Sequence, residues 1–314
     1  MVRHQEIVQH FQAEGVCPYL TDHRKSRTEY LIFRQHVDPG IYGRLIKDGW
    51  RRYGKAMYRM QCPGCSLCIP LRIKAVSVRV TPSSRRILQH NRDLLIIPRA
   101  PVFTEEHYLL WRTYSLWKHS SPPEELDETS YCQLFEPWSL IFEYRESGGD
   151  QRLLALSHVD PLADGFSSVY FSFAPEAKGR SLGFFSMLAE AHIVASIEPR
   201  NLTLDTPIST RPIISFYTEA MTEVIRSMST GGEPEGWIDS PSAFQGFYYL
   251  GFWVPGAPKM DYKARISPFE LALRDDESGA VCWKSCASQD EAMAHLREKD
   301  WPGLPPSEQS ASSR

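Results

Sequence analysis

The chain has 314 residues, 42% hydrophobic and 12% aromatic, enough apolar material for one large core or two modest ones without disulfides. No run approaches the roughly 18 to 20 apolar residues of a membrane span, and the opening MVRHQEIVQHFQAEG is too polar for a signal peptide, so the expected compartment is the cytoplasm, with no membrane partner. The net charge of −3 hides an asymmetry: residues 1–100 carry 18 Lys and Arg against 7 Asp and Glu, hence +11, and the remainder carries −14. Such a basic half suits a polyanion, nucleic acid first, or else docks against the acidic half of its own chain.

In chain order, residues 1 to about 14 read as a short amphipathic helix ending at Gly15, followed by an irregular loop that Cys17-Pro18-Tyr19-Leu20 opens. Residues 27–34 alternate like a strand. Residues 42–48 form a short helix stopped by Gly49, and 50–60 form a strand leading into a cysteine loop. IPLRIKAVSVRV, residues 69–80, keeps the period of two of a half-buried strand. Pro82-Ser83-Ser84 starts a basic helix to about residue 93, and a longer helix spans 104 to about 118. The acidic, proline-bearing SSPPEELDE, residues 120–128, is a loop.

From Trp138 the pattern is strand (SLIFEYR), a Gly148-Gly149 turn, strand (LLALSHVD), a turn at residues 163–165 and strand (SSVYFSFA). Lys178-Gly179-Arg180-Ser181-Leu182-Gly183 then opens an apolar helix. That succession is the one expected of an acetyltransferase-like α+β domain. Residues 211–226 look helical and GGEPEGWIDSPS looks like an exposed loop. A strand returns at 247–254, and the Ser-rich tail after Pro302 is expected to be disordered. The domain reading is a basic amino-terminal module over 1–136, a transfer module over 137–275 with an insertion at about 203–245, and a partly disordered extension over 276–314.

Seven cysteines stand at positions 17, 62, 65, 68, 132, 282 and 286. Cys62, Cys65 and Cys68 share a CxxCxxC loop in which Pro63-Gly64 lets sulfurs converge, a pattern that suits zinc or an iron–sulfur cluster, with Cys17 the natural fourth ligand. The other three read as packing or surface residues. Arginines concentrate around that loop: Arg51, Arg52, Arg59, Arg72, Arg85 and Arg86, whose guanidinium forks suit phosphates or carboxylates. The Gly179–Gly183 turn can present backbone N–H groups to a phosphate or an oxyanion, a weak signal by itself. The ten histidines are scattered, each read as structural or surface; there is no GxSxG, Walker loop or HExxH.

Several strings, in order, resemble the bacterial aspartate/glutamate leucyltransferase branch of the arginyl-tRNA–protein transferase family. They are CPYL (17–20) with SRTEY (26–30), WRRYGKAMYRMQCPGCSLCIPLR (50–72) and PSSRRILQHNRDL (82–94), then LADGFSSVYFSFAPE (162–176) with RSLG (180–183), YLGFW (249–253) and KMDYKARISPFE (259–270). The resemblance implies two acetyltransferase-like (GNAT-type) modules with mixed sheets and flanking helices. The implied reaction transfers leucine from Leu-tRNA to the amino-terminal Asp or Glu of a protein, marking it for degradation. An α-amine of pKa about 7.7 attacks an already activated ester, so proximity and oxyanion stabilisation carry most of the rate and the chemistry needs no cofactor beyond aminoacyl-tRNA.

The same resemblance places Cys17, Cys62, Cys65 and Cys68 at the family's metal or cluster position, in a structural or regulatory role. Arg51, Arg52, Arg72, Arg85 and Arg86 would meet tRNA phosphates or the acceptor carboxylate, and Tyr170, Arg180, Ser181, Lys259, Tyr262 and Lys263 would line the transfer site. Where the family pattern has Arg-His followed by glycines, this chain has Lys118-His119-Ser120 and the acidic loop. Three other readings stay open: an arginyl donor with the same acceptors, a small-molecule N-acyltransferase using an acyl-coenzyme A, and a cysteine-cluster RNA-binding or redox-sensing module that transfers nothing.

Overall fold

The computed structural model describes residues 7–119, 121–196, 208–209, 246–275 and 278–304. The helix expected at 211–226 and the loop after it lie outside these residues, as does the tail from 305 onward.

A four-stranded antiparallel sheet forms first, in the order β1-β2-β4-β3. Its strands are β1 (Ile7–Val16), β2 (Lys25–Phe33), β3 (Arg51–Tyr53) and β4 (Ala56–Met60). The expected amino-terminal helix is therefore a strand. Residues 7–16 are exposed almost throughout, so a helix there would have no apolar stripe to bury, and so short a helix is marginal in water. Pairing with β2 satisfies the backbone instead, and Phe11 stacks on Tyr30 at 5.2 Å. The single strand expected over 50–60 is a hairpin, β3 and β4, turning at Gly54-Lys55. Between β2 and β3 runs α1 (Pro39–Lys47), capped by the Asp38 carboxylate, which accepts from the N–H groups of Gly40 and Ile41.

A nine-stranded sheet follows, in the order β10-β6-β7-β8-β9-β11-β5-β12-β13. Its strands are β5 (Ile69–Lys74), β6 (Leu94–Arg99), β7 (Leu140–Glu146), β8 (Leu153–Leu162), β9 (Gly165–Phe173), β10 (Ile208–Ser209), β11 (Phe247–Trp253), β12 (Phe269–Arg274) and β13 (Val281–Cys286). The strand expected over 69–80 ends at Lys74, where a 3-10 turn over Ala75–Ser77 takes over. The apolar run of β6 and the carboxyl-terminal strands β12 and β13 were not anticipated. The sheet takes strands from either side of residues 137 and 275, and β6 pairs directly with β7. Every pairing is antiparallel except β9 with β11, which makes the sheet mixed and the class α+β, as expected.

The helices α2 (Pro82–His90), α3 (Glu105–His119), α4 (Glu128–Cys132), α5 (Leu182–Ser196) and α6 (Gln289–Glu298) flank this sheet. The acidic loop is shorter than expected because Asp127 caps α4 by accepting from the N–H of Ser130. The largest core cluster packs α5 against Phe142, Tyr144, Leu154, Phe166 and Trp253, with Leu296 of α6 joining it. α5 buries 11 of its 15 residues, so it runs through the core and carries the polar Glu190 into it. A second cluster unites the small sheet with the large one: Tyr42 and Ile46 of α1 and Met57 of β4 meet Leu162, Phe247 and Tyr249.

Candidate transfer site

β9 and β11 are paired for three residues only, Gly165–Ser167 against Phe247–Tyr249. Beyond them β9 stays with β8 and β11 stays with β5, so two parallel neighbours part and leave carbonyls without a ladder partner. Two cations fill the gap. Arg51, from β3 of the small sheet, donates to the Ser168 carbonyl and, at 3.3 Å, to Ser167 Oγ. Lys263, from a 3-10 turn over Asp261–Arg265, donates through Nζ to the Leu250 carbonyl at 2.7 Å. They converge on Gly251 (φ +80°), where an added Cβ would stand 3.3 Å from Lys263 Nζ and 3.4 Å from Arg51 Nη2. Gly165 serves the same seam: a Cβ there would collide with the Phe247 carbonyl at 1.7 Å. Tyr42 Oη meets Ser167 Oγ at 2.7 Å and completes the wall. Burial, and then the Arg51 charge, push the Lys263 ammonium down to about 7, so this amine is partly neutral at physiological pH.

The other predicted arginines divide sharply. Arg52 is fully buried and grips Asp160 of β8 with Nε–Oδ2 at 2.7 Å and Nη2–Oδ1 at 3.1 Å, while Nη2 also donates to the Leu134 carbonyl at 3.0 Å. Ser139 donates to the same carboxylate, and Glu136 lies 3.7 Å from Arg52 Nη1. Arg72 pairs with Glu270 at 2.6 Å, its guanidinium lying over Phe247 at 3.9 Å and Trp283 at 4.1 Å. Arg86 of α2 is exposed and Arg85 half-buried. Part of the basic excess of residues 1–100 is thus consumed inside the chain, because Arg52, Arg72, Arg99 and Lys47 all pair with carboxylates beyond residue 100.

Of the predicted transfer-site residues, Lys263 stands in the seam on the β11 carbonyl of Leu250, Tyr170 belongs to β9, Tyr262 packs near Phe171 of β9, and Lys259 acts on His119 at the end of α3. Tyr170 Oη is 3.1 Å from Ser115 Oγ, and its ring lies 6.4 Å from Tyr114 and 6.3 Å from His119. Burial first, then the charges of Lys259 and Lys118, hold His119 below the usual imidazole range. Tyr262 packs under α5, its hydroxyl 3.5 Å from where a Cβ of Gly183 would stand, and burial pushes it up to about 12. Arg180 faces elsewhere: Nε donates to Asn91 Oδ1 at 2.9 Å and the guanidinium pairs with Asp93. Ser181, in the left-handed region at φ +54°, is exposed and spends its carbonyl on the N–H groups of Phe184 and Phe185.

Sequence reasoning passed over Asp160, Ser167 and Glu190, and met His119 only as part of a departure from the family pattern. Asp160 had a signal: one carboxylate in the otherwise apolar strand LLALSHVD must find a buried cation. Glu190 had one as well, a lone acid in an apolar helix. It accepts from the hydroxyls of Tyr144 and Tyr248, and burial pushes it up to about 7.

Cys17, Cys62, Cys65 and Cys68 line one cavity of about 600 Å³ beside the seam, and all four are free thiols. Burial, reinforced by the neighbouring cysteines, raises Cys62 and Cys68 above the usual thiol range. Donor type suits zinc or an iron–sulfur cluster, but among the described residues no three His, Cys, Asp or Glu side chains are arranged to hold a metal ion. Cys62 Sγ instead takes the Arg27 N–H at 3.4 Å. The four thiols share one cavity, and Cys17, Cys62 and Cys65 all bear on the charge of Cys68. The chain after α6 covers this loop: Ser66 N–H donates to the Pro302 carbonyl at 2.9 Å and Trp301 Nε1 to the Ser66 carbonyl at 2.8 Å. Cys132 is half-buried, Cys282 exposed and Cys286 buried, as packing and surface residues should be.

Two family models match the chain in order. The one described as the N terminus of arginine-tRNA-protein transferase matches residues 15–86, and its C-terminus counterpart matches residues 106–212. The first span holds the four cysteines and Arg51. The second holds His119, Asp160, Tyr170 and Glu190 and stops before Lys259. Among curated proteins, an aspartate/glutamate leucyltransferase of Pseudomonas putida (strain W619) is 29% identical over 261 residues, covering 82% of this chain and 90% of the relative. One from Pseudomonas fluorescens (strain SBW25) is 28% identical over the same extent. One from Saccharophagus degradans is 28% identical over 263 residues, covering 82% of this chain and 91% of the relative.

Proposed function

Because this chain belongs to the arginine-tRNA-protein transferase family, we propose that it moves leucine from a charged tRNA onto the amino-terminal Asp or Glu of an acceptor protein, marking that protein for degradation. The observation that carries the mechanism is the meeting of Lys263 Nζ and the Arg51 guanidinium at Gly251, where β9 and β11 part. The acceptor's α-amine attacks the carbonyl carbon of the aminoacyl ester. A C–N bond forms, the ester C–O bond breaks, and the terminal ribose hydroxyl of the tRNA leaves with a proton. Lys263, poised near pH 7, takes the proton that the attacking amine sheds, and Arg51 supplies fixed positive charge beside the developing oxyanion. Neither residue waits on a cofactor, since the ester is already activated, and the cysteine loop takes no part in these steps.

The setting we propose is the cytoplasm, where charged tRNA is held; among the described residues no helix is long and apolar enough to cross a membrane. The test incubates purified protein with radiolabelled Leu-tRNA or Arg-tRNA and acceptor proteins beginning with Asp, Glu or Ala. Label on the Asp and Glu acceptors from Leu-tRNA alone is the expected result. Label from Arg-tRNA overturns the donor and keeps the reaction; no label from either overturns the reaction.

A further inference from the structure

The amine-bearing end of the seam opens onto a feature the reaction above does not use. α3 ends in Trp117-Lys118-His119, and Trp117, 43% exposed, packs its ring against Phe173 at 5.7 Å and Tyr114 at 6.0 Å, both edge-on. A cation, Lys118 Nζ, lies over the ring 5.6 Å from its centroid. A second cation, Lys259, exposed on the surface, adds its charge to the burial that holds the neighbouring His119 below the usual imidazole range. Neither lysine has a carboxylate partner among the described residues. One ring, Tyr114, separates Trp117 from Tyr170 on β9, so this platform is continuous with the residues that line the seam.

A part-exposed indole with a cation over its ring, beside lysines without a carboxylate partner among the described residues, matches the chemistry of a nucleotide, a flat base with a phosphate attached; it matches an apolar peptide poorly. We propose that Trp117 is the stacking platform for the 3′-terminal base of the tRNA, with Lys118 and Lys259 holding the adjoining phosphates, so that the esterified ribose hangs toward Tyr170 and the seam. This assignment rests on the aminoacyl-tRNA reading for the identity of the ligand. It adds a subsite that neither Arg51 nor Lys263 provides, and it gives a reason for the large exposed aromatic at this helix end.

The test measures binding of the trinucleotide CpCpA to the full-length protein, by calorimetry and by quenching of tryptophan fluorescence, for the wild type, Trp117→Ala and Trp117→Phe. Leucine transfer is followed in parallel. Trp117→Ala should weaken CpCpA binding about tenfold or more and raise the KM for Leu-tRNA with little change in kcat, while Trp117→Phe, which keeps a π-face, should stay near the wild type. Lys259→Ala should weaken binding less and flatten its dependence on salt. Unchanged affinity in Trp117→Ala, or no CpCpA binding by the wild type, overturns the proposal even where leucine transfer is normal. Binding that depends on Trp117 in a protein that transfers nothing supports it while the transferase reading falls.

Discussion

A lysine that titrates near pH 7 imposes its own pH limb on any reaction that uses it as a base. Lys263 is charged below about 7 and neutral above, so kcat/KM for transfer should climb as pH rises through 7 and then level. Lys263→Met and Lys263→Arg should each lose about a hundredfold or more in kcat and both should lose that limb, the arginine because it never releases its proton. A steady-state pH profile at saturating Leu-tRNA decides it: a limb near pH 7 that survives in Lys263→Met belongs to the acceptor amine instead. Glu190 gives a second test at the same scale, read in stability. Its carboxyl sits at about 7 in the folded protein against an ordinary 4.5, so between those values the unfolded chain releases a proton that the folded chain keeps. Rising pH therefore costs stability through that window, on the order of 3 kcal/mol in all, and the cost persists above it. Glu190→Gln should flatten this fall, seen as a melting temperature that changes less than the wild type's between pH 5 and 8.

Among the elements, the hairpin of β3 and β4 does more than its length suggests, because its first two residues reach across the gap between sheets. Arg51 crosses to β9 and Arg52 to β8. The Arg52–Asp160 pair is wholly removed from solvent, so breaking it leaves an uncompensated buried charge. Asp160→Ala should cost about 3–5 kcal/mol in urea unfolding, and the double change Arg52→Met with Asp160→Leu should recover much of it. A loss below about 1 kcal/mol would mean that water already reaches the pair. The same elements show where periodicity was a sound guide. β2, α1, α2, α3, β7, β8, β9, α5 and β11 were all legible, because each carries either an alternating apolar face, a cap such as Asp38, or, in α5, β8 and β11, an apolar run bounded by turn residues that settles its conformation locally. β1 was misread because it buries almost nothing, so no apolar pattern reports its state and only its pairing with β2 decides it. β6 was missed because LLIIP reads equally as a buried strand or a piece of helix until β7 lies beside it.

For the molecule as a whole, the carboxyl-terminal segment changes what the cysteine loop is. Trp301 packs against the core clusters and hydrogen-bonds the Ser66 carbonyl, so the thiols sit beneath a strap from the far end of the chain. Trp301→Ala should loosen it and raise the alkylation rate of the cysteine-loop thiols by iodoacetamide about tenfold, while slow, unchanged alkylation would show that the cavity walls protect the thiols by themselves.

The amino-acid sequence by itself determined the α+β class, the cysteine loop, the basic excess of the first hundred residues and, through ordered strings from CPYL to KMDYKARISPFE, the family. The first three are properties of composition, local spacing and periodicity, and the family is a resemblance of whole strings; none of them needs knowledge of distant neighbours. Only the tertiary structure decided which arginines are free. Arg51, Arg52, Arg72 and Arg86 are equivalent as letters, yet one caps a split between strands, one is sealed against Asp160, one lies over Phe247 and Trp283, and one faces solvent. It alone decided that Lys263 works near neutrality, because a lysine's proton affinity is set by the water it has lost and the charge it faces. Burial and Arg51, 212 positions away in the chain, supply both.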